Sequence, residues 1–258
     1  MKDILGRALS DYFHRRSPGK LWVHHYITWQ GQPPHSPPQA GSIRQAEIPG
    51  PGKRAVHKEP MPVDFYFRDM DHMPNLEWVA LQHCRGKILD IGAGAGSHAL
   101  SLQLMGQDVT ALEISPLSAA LMEERGVASV IRQDFFQLAS GAFDTLLLLM
   151  NGIGLAGNID GLRTFLTLAK RLLRPGGQLV FDSSDISYLY PEGTPPKGEP
   201  YYGEVFFRYE YKKAVSDWFP WLFIDRDTLK SLASREGWLT EVLYDDQQGQ
   251  YLVKCQPA

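Results

Sequence analysis

The chain has 258 residues, 43% of them hydrophobic, enough for one large core, and its formal net charge of −3 gives no general affinity for nucleic acid or an anionic membrane. Two isolated cysteines, Cys84 and Cys255, exclude a disulfide framework and a cysteine metal cluster. No apolar run is long enough to span a bilayer and the N-terminus lacks a signal-peptide core, so a cytoplasmic protein is expected.

Met1 to about His14 reads as a short amphipathic helix, with Ile4, Leu5, Ala8, Leu9 and Tyr12 on its apolar side, and Leu21 to Trp29 as an aromatic, β-like run. Residues 31–62 are dense in Pro and Gly and predict an irregular loop or disorder. The histidines of this extension (His14, His24, His25, His35, His57) lack regular ligand spacing, so no metal site is expected. The division that follows is an N-terminal extension over 1–74 and a main domain over 75–258.

Lys87 to Asp90 is a short apolar run ending in an acid. Gly92-Ala93-Gly94-Ala95-Gly96 then leads into helical periodicity at Ala99, Leu100 and Leu104. This is a buried strand, a tight turn and a helix whose N-terminus faces a ligand. Ser97 stands where a dinucleotide fingerprint has its third glycine, and Asp90 would repel a pyrophosphate. A ligand with an ammonium group beside its carboxylate suits the turn better, and the amino-acid end of S-adenosylmethionine has that charge pattern.

The next apolar run, Val109 to Leu112, ends in Glu113, where an acid grips a ribose diol in doubly wound folds. Ser129 to Phe135 reads as a third strand. There Asp134 either accepts from an adenine amino group while Phe135 covers a ring face, or caps a turn with Phe135 in the core. Asp144 to Met150 is apolar enough to be buried on both faces and runs into Asn151-Gly152. A helix over about Leu162–Leu173, stopped by Arg174-Pro175-Gly176-Gly177, leads to a fifth strand, Gln178 to Asp182.

In this order the motifs resemble the class I S-adenosylmethionine-dependent methyltransferases, closely over about residues 75–185. The resemblance rests on Leu89 to Gly96, Glu113, Gln133-Asp134-Phe135, Phe143-Asp144 and Leu173 to Gly177, and the stretch Leu148 to Gly154 looks like a bacterial branch of small members. It implies an α/β, doubly wound, Rossmann-like sheet in the order 3-2-1-4-5-7-6, with the seventh strand antiparallel. It also implies S-adenosylmethionine as cofactor, held by Arg68, Asp90, Gly92, Ala93, Gly94, Gly96, Glu113, Ile114, Gln133, Asp134, Phe135 and Met150. Similar enzymes close an aromatic-plus-arginine step over the methionine end; in Phe65-Tyr66-Phe67-Arg68 the arginine either forks onto that carboxylate or pairs with Asp69 or Asp71.

The C-terminal third fits that plan. Asp225 or Asp227 caps a helix to about Glu236, and Trp238–Tyr244 with Gln250–Cys255 reads as a hairpin. Between them and strand five lies a β-rich insert, about 186–224, whose aromatics form a substrate lid, a sheet extension or a subunit contact. Asn151, Tyr202 and Glu204 are the candidate catalytic residues; Asn151 borders the transferring methyl and positions rather than ionises, and Asp182 and Asp185 lie nearby. His98 reads as a capping or packing residue. The Asn-Pro-Pro-Tyr signature of DNA amino-methylating enzymes is absent, so the acceptor is read as a small molecule, with self-association left open. The rival readings are a catalytically silent S-adenosylmethionine binder and a nicotinamide-dependent oxidoreductase.

Overall fold

A computed structural model describes residues 2–17, 19–27, 56–190, 193–195, 197–198 and 200–258. The loop expected over 31–62 therefore lies outside the described residues up to position 55, as does His35.

The expected first helix is α1 (Ile4–Phe13), and the aromatic run after it is β1 (Leu21–Ile27). A short β2 (His57–Pro60), two 3-10 turns (Val63–Phe67 and Met70–His72) and α2 (Asn75–His83) precede the main sheet. The chain then alternates: β3 (Lys87–Ile91), α3 (Ser97–Leu104), β4 (Asp108–Glu113), α4 (Pro116–Glu124), β5 (Val130–Arg132), β6 (Phe143–Leu148), α5 (Ile159–Leu172), β7 (Leu173–Ser184). Helix α5 begins a turn earlier than its apolar pattern suggests, because the Asn158 side chain accepts the Gly161 N–H at 2.7 Å and caps it there. The insert supplies β8 (Glu204–Tyr211), β9 (Ala214–Val215) and β10 (Phe219–Leu222), and α6 (Arg226–Arg235), β11 (Trp238–Asp245) and β12 (Gln250–Pro257) complete the chain. Asp225 is the cap of α6, accepting from Asp227 N and Thr228 N.

The main sheet runs β5-β4-β3-β6-β7-β12-β11, with β12 antiparallel to both neighbours. This is the expected order, 3-2-1-4-5-7-6. Both faces are covered: Phe165, Leu166 and Ala169 of α5 and Leu229 of α6 pack on one, Ala80, Leu81, Ala99 and Leu102 of α2 and α3 on the other. The chain turns in opposite directions after β3 and β6, which opens a crevice at their carboxyl ends.

The insert does not extend the main sheet. It forms a second, antiparallel sheet in the order β10-β8-β1-β2, with β9 on β8, so segments from both sides of residue 74 share it. In β1 and β8, residues Leu21 to Ile27 pair in unbroken register with Tyr211 to Val205. This sheet roofs the crevice. It is held by packing: Trp221 lies against Gly154, where a Cβ would meet the indole, and Leu21 and Tyr211 pack on Ile4 and Ala8 of α1.

Asp3 anchors that helix twice. It caps α1 through Gly6 N at 2.9 Å and also accepts from Ser115 Oγ at 2.6 Å and Leu117 N at 3.2 Å, at the start of α4. Asp3→Ala should therefore remove caps from two helices and cost about 1–2 kcal/mol, read as a lower urea midpoint at unchanged slope. An unchanged midpoint would show that α1 docks by its apolar face alone.

Candidate active site

Strand β3 is buried from Ile88 to Ile91 and carries Asp90 to the crevice with 1% exposure. Burial raises the Asp90 carboxyl to about 6, against opposing help from His98 and the Ala99 N–H. Its Oδ2 is buried with no hydrogen-bond partner. An unpartnered carboxylate oxygen is costly, so this is a group waiting for a cation. The glycines after it adopt left-handed backbone (Gly92 φ +72°, Gly94 φ +58°, Gly96 φ +82°), and the space a Cβ would take at Gly92 is empty. The loop is braced from beneath, since Gly92 and Ala93 donate to Leu112 O at 2.8 and 3.2 Å.

Glu113 ends β4 beside this loop. Its Oε2 accepts the Gly94 N–H and its Oε1 the Ser115 N–H, both at 2.9 Å, which fixes the carboxylate rotamer and leaves lone pairs for diol hydroxyls. Burial raises this carboxyl too, with the backbone donors opposing. Ile114 next to it is 65% exposed and offers an apolar shelf beside the carboxylate. Asp90, the open glycine turn, Glu113 and Ile114 thus fit the ammonium, methionine, ribose and adenine parts of S-adenosylmethionine in that order.

At the adenine end Asp134 takes its capping alternative through Oδ1, and the use of Phe135 as a ring cover is corrected. Asp134 caps a 3-10 turn, accepting Phe136 N–H at 3.0 Å, and Phe135 is 4% exposed and stacked on Phe165 at 4.4 Å, so no face of it reaches a ligand. Core packing of a phenyl ring outweighed its use as a platform. Gln133 donates to Gln137 O at 3.0 Å, which holds the same turn.

Arg68 is bonded to neither Asp69 nor Asp71. It pairs with Glu77 of α2, whose other oxygen takes His98 Nε2 at 2.9 Å, and all three side chains are largely buried. Burial alone would lower His98, but the Glu77 hydrogen bond and the Asp90 charge outweigh it and the imidazole titrates above its ordinary value. The Arg68 Nε remains buried and unpartnered. Sequence reasoning placed His98 as a packing group and missed Glu77, which sits at a helix position that looks like a surface acid.

At the tip of β6, Met150 and Asn151 both have positive φ (60° and 56°), a strain held by Asp182, which accepts the Asn151 N–H at 2.8 and 2.9 Å with its two oxygens. Asn151 Nδ2 donates to Leu222 O at 3.2 Å while its Oδ1 is buried without a partner. Burial raises Asp182 to about 6. Tyr202 donates to Asp185 Oδ1 at 2.7 Å, and Glu204 Oε1 accepts the Ile159 N–H at 2.9 Å, so Glu204 holds the start of α5. Tyr66, in the 3-10 turn Val63–Phe67, stands against Gly94 and shares a hydrogen bond with Tyr209 of the roof; burial raises both phenols, Tyr209 to about 12, and each feels the Glu113 charge. Tyr209 was not foreseen.

Among the described residues no group of His, Cys, Asp and Glu could hold a metal. His24 and His14 are instead paired with Glu210 and Glu124 at 2.8 and 2.9 Å. Nor is any helix of these residues long and apolar enough to cross a membrane.

Comparison with known proteins agrees with this geometry. Residues 89–181 match a family model described as a methyltransferase domain. An S-adenosylmethionine-dependent methyltransferase from Bacteroides fragilis, solved with S-adenosyl-L-homocysteine, is 35% identical, aligns over 100% of this chain and 95% of its own, and superposes with a TM-score of 0.83. The CcbJ methyltransferase of Streptomyces caelestis shares the fold at 15% identity, over 73% of this chain and 94% of its own, with a TM-score of 0.57. YqeM of Bacillus subtilis, provisionally named a methyltransferase, is 26% identical over 139 residues; the match covers 48% of this chain and 56% of YqeM. The chain belongs to the S-adenosylmethionine-dependent methyltransferases, and the nicotinamide reading falls.

Removing Glu77 would leave the Arg68 guanidinium buried without its counter-ion and take from His98 the hydrogen bond that raises it. Glu77→Ala is expected to cost about 3–5 kcal/mol in denaturant unfolding at pH 7. A loss below about 1 kcal/mol would mean the cluster is solvated and does not brace the crevice.

Proposed function

We propose that this chain transfers the methyl group of S-adenosylmethionine to a small-molecule acceptor by in-line displacement. The observation that carries this reading is the alignment of Asp90, with its buried unpartnered oxygen, and Glu113 across one braced glycine turn. The 35% identity to a methyltransferase crystallised with S-adenosyl-L-homocysteine supports it. S-adenosylmethionine, when bound, supplies a methyl activated on a sulfonium; the protein's part is alignment and exclusion of water. Asp90 would hold the ammonium group, Glu113 the ribose diol, Ile114 and Met150 the apolar flanks, and Arg68 the carboxylate once it turns from Glu77.

Asn151 orients the acceptor through its unpartnered Oδ1, with Asp182 fixing its backbone. Tyr202 and Glu204 act at one remove, holding the Asp185 loop and the start of α5. The methyltransferase domain occupies 75–258, β1 and β2 of the N-terminal extension complete its roof, and the protein works in the cytoplasm without a nucleic acid or membrane partner. Self-association through exposed aromatics fits the same reading.

Calorimetry with S-adenosyl-L-homocysteine tests it directly. Glu113→Ala removes two charge-assisted hydrogen bonds, each worth about 1.5–3 kcal/mol, so affinity should fall about a hundredfold or more. No heat with the folded wild-type protein would sink the reading.

The same titration has a pH signature. Asp90 must be ionised to meet an ammonium group, and its carboxyl sits at about 6 in the free protein. Affinity should then be level above pH 7 and fall roughly tenfold per pH unit well below 6. In Asp90→Asn, affinity should be weaker and this slope reduced. An identical slope in the variant would assign the proton elsewhere.

A further inference from the structure

The inner face of the roof has a composition that cofactor binding does not explain. Residues directly opposite one another in antiparallel strands share a face. By register, His25 stands opposite Phe207, Phe207 opposite Phe219, and Trp221 opposite Val205, while Tyr209 lies two residues on from Phe207 along β8. This is the face turned to the crevice, because its two ends touch the two halves of the site: Tyr209 bonds Tyr66 over Glu113, and Trp221 lies on Gly154, just past Asn151. Between those ends Phe207 is ringed by Trp221, Phe219, Phe223 and His25, with ring centroids 6.2, 6.3, 6.0 and 5.8 Å away. All of these side chains are half-buried. Aromatic rings left half-exposed between two packed layers are surface that a ligand can cover.

Charge narrows the ligand. The basic side chains of the roof strands belong to the other face: Lys58 and Arg208 both stand opposite His24, Lys58 pairs with Glu210, and Arg208 lies over Trp218. Among the described residues of β1, β2, β8 and β10, the inner face carries no Lys or Arg. A phosphorylated or carboxylated acceptor would find no countercharge there. At one end of the aromatic ring the inner face offers polar groups: His25 Nδ1 is buried without a hydrogen-bond partner, its ring is stacked on the exposed His57 at 5.2 Å, and the exposed Glu59 carboxylate is 3.6 Å away at the rim. Burial keeps the His25 imidazole below its ordinary value, hence neutral at pH 7 and able to donate or accept.

We propose that the inner roof face is the acceptor-binding wall and that it takes a planar, uncharged aromatic molecule, stacked about Phe207 and Trp221, whose polar substituent meets His25. This deepens the methyltransferase reading and rests on it. The wall is built jointly from the N-terminal extension and the insert, which gives the extension a direct part in acceptor choice.

The test is calorimetry on the full chain saturated with S-adenosyl-L-homocysteine, using 2-naphthol, the non-planar decahydro-2-naphthol and the charged 1-naphthyl phosphate as probes. Saturable 2-naphthol binding is expected, at least about threefold tighter than the reduced alcohol and tighter than the phosphate, since aromatic pairing adds to area burial. Phe207→Leu should weaken 2-naphthol about three- to tenfold. His25→Gln should narrow the difference between 2-naphthol and naphthalene. Trp22→Leu, on the outer face, should do neither. S-adenosyl-L-homocysteine affinity reports folding in each variant, and Phe219→Leu replaces Phe207→Leu if the latter fails to fold. Equal affinity for the two alcohols, preference for the phosphate, or no binding of 2-naphthol to the loaded protein overturns the proposal while the cofactor reading stands. Failure of the wild type to bind S-adenosyl-L-homocysteine strikes the methyltransferase reading instead.

Discussion

The pairing of Leu21–Ile27 with Val205–Tyr211 is the contact on which the rest of the crevice depends. It joins two segments far apart in the chain, so it bears a loop-closure cost, though one that grows only slowly with length. In return a seven-residue stretch is paired along its whole length with β8, and the roof is held as one sheet. Remove that ladder and Tyr209 loses its place over Glu113, Trp221 its place against Gly154, and α1 the surface formed by Leu21 and Tyr211. The central sheet could stand without it; the walled site could not.

Beneath the roof the molecule keeps groups that a purely structural core would discard. Asp90 and Asp182 are both buried carboxyls raised to about 6, and Arg68, Glu77 and His98 form a buried charged cluster beside Asp90. Breaking such a cluster costs far more than its presence contributes, because a lone charge would remain in low dielectric. Two consecutive non-glycine residues with left-handed backbone, Met150 and Asn151, sit at the strand tip bordering the same space. Unpartnered oxygens on Asp90 and Asn151, strained backbone between them and a braced glycine turn all converge on the carboxyl ends of β3 and β6. This is where an open α/β sheet has room for a ligand, and the local costs are offset by the closely packed helices on either side.

The catalytic sheet was legible because its signals are short-range. An apolar run such as Phe143–Leu148 has to be buried on both faces wherever it lies, and Asp225 caps its helix with a side chain that reaches only to the next turn; the Asn158 cap, equally local, was overlooked and the start of α5 misplaced with it. Glu113 was legible for a related reason: strand length and loop geometry place an acid after β4 close to the turn after β3. The errors fell where one residue had two local solutions. Phe135 could cover a ring or fill the core, and the choice turned on Phe165, thirty residues on. Arg68 had two neighbouring acids and took Glu77 instead, since that carboxylate is buried and theirs are exposed.

By itself the sequence determined the doubly wound sheet, its strand order through the family it resembles, the glycine turn and the acids that bracket it. Periodicity, capping and the chemistry of Asp90 and Glu113 act over a few residues and survive any arrangement of the remainder. Only the tertiary structure decided that the N-terminal run and the insert are one sheet, that Tyr209 stands by Tyr66 and Glu113, and that Glu77 pairs with Arg68 and His98. Those facts depend on which edge strand finds which partner across most of the chain. Backbone hydrogen bonds carry no side-chain code for that choice; it is settled by the packing of whole layers.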